Sequence, residues 1–139
     1  MISRILVPMG GSEMAEHALE FALETYPDAE VTVLHVVGAP TPFMGEAVRL
    51  ALEEDFPRAV EERAEGVFER ARELAAAHGT EIDTVVGVGQ PSRVIVEHAA
   101  DADLVVMGSH GRKRTSRVLI GNVAERVVRR SPVPVTVVR

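Results

Sequence analysis

The 139-residue chain has no cysteine, which excludes disulfides and thiol chemistry. It has no apolar run near the roughly 20 residues that cross a bilayer, so no membrane partner is expected. The opening Met1-Ile2-Ser3-Arg4-Ile5-Leu6-Val7-Pro8 is too short and too strand-like for a signal peptide, and a cytoplasmic location is the default expectation. Signatures of catalysis are missing as well. There is no Gly-x4-Gly-Lys-[Ser/Thr], so the chain is no Walker-type nucleoside triphosphatase. Gly87-Val88-Gly89 lacks the third glycine of a dinucleotide fingerprint. Gly108-Ser109-His110-Gly111 departs from the Gly-x-Ser-x-Gly elbow, which makes Ser109 a phosphate-loop or turn residue rather than a nucleophile. His17, His35, His78 and His98 show no metal-ligand spacing, and no metal held by side chains is expected. His35, inside an apolar run, reads as a half-buried packing residue. His110 has no neighbouring carboxylate in sequence to orient it for acid–base work. The chain reads as a non-enzyme.

What is present is unevenly charged. The net charge is −6, but residues 1–106 carry seven basic and twenty acidic side chains, whereas residues 107–139 carry eight basic ones and the single acid Glu125. Overall acidity argues against nucleic-acid binding, which draws on a broad basic surface. A local basic segment suits a small polyanion better. The region Glu53 to Glu73 mixes Glu61, Glu62, Glu65 and Glu69 with Arg58, Arg63, Arg70 and Arg72. It reads as a solvated helix face with i,i+4 ion pairs, or as a docking face for a protein partner of unknown identity.

Short apolar runs alternate with helical segments. The runs are Arg4 to Pro8, Val31 to Val37, Ile82 to Val88, Leu104 to Met107 and Val135 to Val138. The helices between them begin near Ser12, Ala47, Pro91 and Val118. Ser12 suits an N-cap and Pro91 a first helical position. His78-Gly79 stops a helix, Pro132 and Pro134 end the last one, and Pro57 is expected to break the stretch from Ala47 to His78. The piece from Gly38 to Gly45 reads as a mobile loop. Strict β-α alternation predicts an α/β fold, a parallel sheet covered by helices on both faces, in one domain spanning 1–139. Ligands of such sheets bind beyond the strand C-termini where strand order reverses.

Two segments suit that place: Pro8-Met9-Gly10-Gly11-Ser12 after the first strand, and the glycine loop after the fourth. Glycines between a strand and a helix let backbone N–H groups approach phosphate oxygens. Arg112, Lys113, Arg114 and Arg117 lie between Gly111 and Gly121 and supply positive charge, either for a phosphate or as a solvated basic loop. Gly10-Gly11 equally fits a plain turn.

These residues carry a resemblance over essentially the whole chain. Ile5-Leu6-Val7-Pro8 with Gly11-Ser12-Glu13, Leu34-His35-Val36-Val37, Gly89-Gln90-Pro91, and Gly108-x2-Gly111-x9-Gly121-Asn122 followed by Val123-Ala124-Glu125 all match. Ser131-Pro132-Val133-Pro134-Val135 completes the set. The chain resembles the small universal stress proteins. The resemblance implies an open five-stranded parallel sheet of Rossmann type, like the adenine nucleotide alpha hydrolases. It also implies a homodimer paired through the last strand, Val135-Val138. For the nucleotide-binding branch it implies ATP, with which Mg²⁺ can arrive, bound without appreciable hydrolysis in a stress-response regulator. Carried over residue by residue, Val36 meets the adenine through its backbone, and Pro8, Met9 and Met107 line the pocket. Gly108 lies beside the ribose, while Gly111, Arg112, Gly121, Asn122 and Val123 hold the phosphates. Gly10 stands where the family's nucleotide binders place an aspartate that anchors the ribose, and Asn122 where Ser or Thr is common. Asn122 also fits a plain helix N-cap. A nucleotide-independent dimeric interaction module of the same fold is the alternative.

Overall fold

In a computed structural model, residues 1–38, 46–110 and 120–139 are described. Five strands alternate with four helices: β1 (Arg4–Pro8), α1 (Glu13–Thr25), β2 (Glu30–Val37), α2 (Glu46–Ala77), β3 (Asp83–Val88), α3 (Pro91–Ala99), β4 (Leu104–Gly108), α4 (Asn122–Arg130) and β5 (Val135–Val138). The strands form one sheet in the order β3-β2-β1-β4-β5, and every neighbouring pair is parallel. The chain winds outward from β1 through β2 to β3, then returns to the other side of β1 for β4 and β5. The order therefore reverses between β1 and β4.

Side chains of a strand alternate between faces, and both faces of the central strands are apolar. Ile5, Val7, Val31, Val33, Leu104 and Val106 pack with α1 and α2. Leu6, Leu34, Val105 and Met107 turn the other way and pack with α3 and α4. Helices thus cover both faces, as strict alternation predicts, because a strand apolar on both sides needs cover on both.

Local chemistry sets the helix ends. The Ser12 hydroxyl accepts from the Ala15 N–H at 3.1 Å, after Gly11 turns the chain at φ +89, a conformation that costs glycine little. Pro91 opens α3, where its missing N–H costs no intrahelical bond. Gly79 at φ +68 stops α2. At the N-terminal ends of the central strands, the Ser3 and Arg4 N–H groups donate to Asp103 Oδ2 at 2.9 and 3.0 Å. Those two donors hold the Asp103 carboxyl below the usual carboxylate range.

Three expectations need correction. The helix α2 runs unbroken from Glu46 to Ala77, through Pro57. Proline removes one backbone donor but leaves the flanking turns their own bonds, so helical dihedrals continue past it. The last helix opens at Asn122 rather than near Val118, and its N-cap is Gly121, which makes Asn122 the first helical residue. Val118 itself lies outside the described residues. His35 is fully buried, at 2% exposure. It sits edge-on to Phe68 of α2, with ring centroids 6.4 Å apart. Helix α2 covers this end of β2 more completely than an alternating strand alone implies.

Candidate functional site

A cavity of about 340 Å³ opens beyond the C-terminal ends of β1 and β4, where the strand order reverses. That volume falls at the small-molecule end of ligand pockets. Pro8, Met9 and Gly10 leave β1 along one wall, and Leu34 and Val36 of β2 stand beside them. Met107 and Gly108 end β4 opposite, and Gly121, Asn122 and Val123 close the cavity with the start of α4. The sequence-predicted residues Pro8, Met9, Gly10, Val36, Met107, Gly108, Gly121, Asn122 and Val123 therefore share one wall-to-wall space. Gly111 and Arg112 lie outside the described residues, as do Lys113, Arg114 and Arg117. The piece expected to be a loop, residues 39–45, also lies outside them.

The structure adds residues that sequence reasoning did not place in the site. Pro91 and Ile95, four apart on α3, reach the cavity together with Ala15, Leu34 and Ala124, beside Ser12 of the segment expected there. The i,i+4 spacing of Pro91 and Ile95 is visible in the sequence, but only packing decides which helix face turns inward. Ser109 and His110, of the glycine loop expected at this place, line the cavity too, with Ser109 Oγ 3.0 Å from His110 Nδ1. Ser109 is buried at 1% exposure. Its N–H donates to Val138 O at 2.8 Å, and its carbonyl accepts from the Gly121 N–H at 2.6 Å.

Backbone polar groups turn toward the cavity from two sides. Alternate residues of a parallel strand bond to opposite neighbours. The Met9 N–H donates to Leu34 O at 2.8 Å, and the Gly89 N–H donates to Val37 O at 2.9 Å. Leu34 thus bonds toward β1 and Val37 toward β3. Val36, in step with Leu34, turns its N–H and C=O toward β1 beyond Pro8, the last paired residue there. On the opposite wall, the first intrahelical bond of α4 is Glu125 N–H to Gly121 O at 2.9 Å. The N–H groups of Asn122, Val123 and Ala124 precede it, and the cap, being glycine, offers them no side-chain acceptor. A helix start of this kind attracts anions.

The glycines of the site owe their identity to different causes. A Cβ on Gly108 would lie 2.8 Å from the backbone carbon of Met14, so this glycine lets α1 press against β4. A Cβ on Gly121 would lie 3.0 Å from the Ser109 carbonyl oxygen, which keeps α4 close to the end of β4. A Cβ on Gly10 would meet nothing within 4 Å. Among the described residues, no carboxylate lines the cavity, and no group of three or more His, Asp or Glu is placed to hold a metal ion. No described helix is long and apolar enough to cross a membrane.

The universal stress protein family model matches residues 1–139. The chain belongs to that family. Universal stress protein MJ0531 of Methanocaldococcus jannaschii is 34% identical over 145 residues, which cover 100% of this chain and 83% of that one. The solved universal stress protein UspA from Lactobacillus plantarum superposes with a TM-score of 0.85 at 26% identity, over 99% of this chain and 98% of its own. A universal stress protein solved in complex with cAMP superposes with a TM-score of 0.69 at 24% identity, over 99% and 97% of the two chains. That last likeness establishes the shared fold. The sheet of this universal stress protein is thus the five-stranded parallel sheet of its solved relatives.

Proposed function

We propose that this universal stress protein is a single-domain, homodimeric, cytoplasmic regulator that binds adenine nucleotide, ATP in the first place, with at most very slow hydrolysis. One observation carries the reading. The cavity sets an open strand backbone at Val36 opposite a glycine-capped helix start at Gly121, a pairing suited to a flat hydrogen-bonding base at one end and an anion at the other. The Val36 N–H and C=O take the adenine, with Pro8 and Met107 as apolar walls. Gly108 lies beside the ribose. The first-turn N–H groups at Asn122 and Val123 hold phosphate, with Gly121 giving them room. Gly111 and Arg112 serve the outer phosphates, and Mg²⁺ comes with the triphosphate rather than with side chains. Hydrolysis needs a group that takes a proton from water; no described carboxylate lines the cavity, and the imidazole that does, His110, has its Nδ1 3.0 Å from Ser109 Oγ. A relative of the same fold holds cAMP, which agrees with the ligand class. Bound nucleotide changes the surface offered to a protein partner.

The testing experiment is isothermal titration calorimetry with ATP, with and without Mg²⁺. A dissociation constant of about micromolar order is expected; no heat at millimolar ATP overturns the reading. The alternative, a nucleotide-independent dimeric module, draws on one observation: Gly108 is required by Met14 whether or not a ligand is present. The same titration separates the two.

Gly10→Asp provides a gain-of-affinity test. The position has open space and an ordinary backbone conformation, so the carboxylate enters without strain. One added acceptor for the ribose hydroxyls should tighten ATP binding by up to about tenfold. An unchanged constant would mean that position 10 does not face the ribose.

The dimer reading has its own test. Val105 N–H and Ser109 N–H donate to Pro134 O and Val138 O, so Pro134, Thr136 and Val138 bond toward β4. Val135 and Val137 turn their backbone groups outward from this edge strand. Val137→Pro removes one outward donor without touching the β4 ladder. The variant should stay folded and run as a monomer in light scattering after size exclusion; a persisting dimer would exclude pairing through this edge.

A further inference from the structure

The ladder between β1 and β2 stops one rung early, and a side chain stands in the gap. In a parallel pair, a residue whose N–H donates to position j of the neighbour accepts at its own C=O from the N–H of position j+2. The Met9 N–H donates to Leu34 O, so the next rung would join the Val36 N–H to the Met9 carbonyl. That rung is not made. Met9 O instead accepts from His35 Nδ1–H at 2.8 Å. Facing a carbonyl, Nδ1 must carry the proton. Nε2 is buried and without a hydrogen-bond partner among the described residues.

His35 and Met9 both point to the face beneath α1 and α2, in step with Val33 and Val7. The imidazole therefore draws the Met9 carbonyl toward that face, away from the Val36 N–H. A residue chosen only to fill the core would carry no orphaned ring nitrogen there, since a buried polar atom without a partner is costly. We infer that His35 is a positioning residue: its imidazole occupies the Met9 carbonyl, and so keeps the Val36 backbone open toward the cavity for the adenine base. The inference rests on the adenine-nucleotide reading for its ligand, but its structural half stands independently.

Backbone amide exchange read by NMR tests that half. In the free protein the Val36 amide should exchange at least about tenfold faster than the Leu34 amide of the same strand. This comparison needs no variant; equal protection of the two amides overturns the inference. In His35→Leu the Met9 carbonyl is released to Val36. The Val36 amide should then become protected without nucleotide, and ATP affinity should fall by about tenfold. His35→Asn, whose side-chain N–H₂ falls near the place of Nδ1, should keep both wild-type exchange at Val36 and wild-type affinity. A His35→Leu protein with unchanged exchange and unchanged affinity overturns the inference. If the wild type binds no ATP at millimolar concentration, the nucleotide reading fails, and the exchange comparison still decides whether His35 holds this edge open.

Discussion

Replacing Asn122 with proline should weaken ATP binding by about one to two decades while leaving the fold standing. Asn122 is the first residue of α4, the position at which proline fits a helix best, because the N–H it lacks has no intrahelical partner. The preceding residue also permits it: Gly121 lies at φ −74, ψ 163, the extended region that proline imposes on its neighbour. The substitution thus removes one first-turn donor and nothing from the helix ladder. A hydrogen bond to a charged phosphate contributes about 1.5–3 kcal/mol, which sets the expected loss. Asn122→Ala separates the backbone from the side chain. It keeps the N–H, so most of the affinity should remain. Calorimetry on the three proteins decides: equal binding by the proline variant would remove the start of α4 from the phosphate site. Bulky substitution at Gly121 is a poorer probe, since its Cβ would press on the Ser109 carbonyl and strain the exit from β4.

Gly108→Ala should lower stability by about 1–3 kcal/mol, read as a reduced urea midpoint at unchanged slope. The added methyl would stand 2.8 Å from both the carbonyl carbon and the Cβ of Met14. These are atoms at the backbone of α1, not the free end of a side chain, so the helix must move to relieve the contact. Gly10→Ala is the matched control two residues past β1. With no atom within 4 Å of the new methyl, its effect should stay within about 0.5 kcal/mol. Equal midpoints for the two variants would mean that α1 has room to yield, and that Gly108 has another cause.

These glycines show what the sequence could and could not disclose. Strand runs bounded by caps and turns placed β1 through β5 to within a residue, because each is short, apolar and flanked by strong punctuation such as Ser12, Gly79 and Pro91. Alternation alone left the strand order open; it was the two glycine segments, after the first and fourth strands, that marked the place of the cavity. Spacing marked Gly108 and Gly121 as special but could not say why. Their reasons are contacts with Met14 and Ser109, residues distant in sequence or turned by the fold. Pro57 misled because propensity is local, whereas α2 is a long helix whose later turns, at Val67, Phe68 and Leu74, are anchored on the sheet. His35 misled for a related reason. Alternation assigns a face, but the depth of burial depends on what covers that face, here Phe68.

The central place of β1 has a bearing on how the chain is made. Its first partner, β2, follows within thirty residues or so, but the other is β4, whose Leu104 pairs with Ile5. The Asp103 carboxylate that holds the Ser3 and Arg4 N–H groups arrives equally late. At about 5–20 residues per second on the ribosome, the intervening stretch takes on the order of 5–20 s. Throughout that interval the nascent chain presents Ile5, Leu6 and Val7 along an unpaired strand edge, the kind of template on which other chains aggregate. Of the five strands, the one on which the sheet is centred leaves the ribosome first, and it waits longest for its second neighbour.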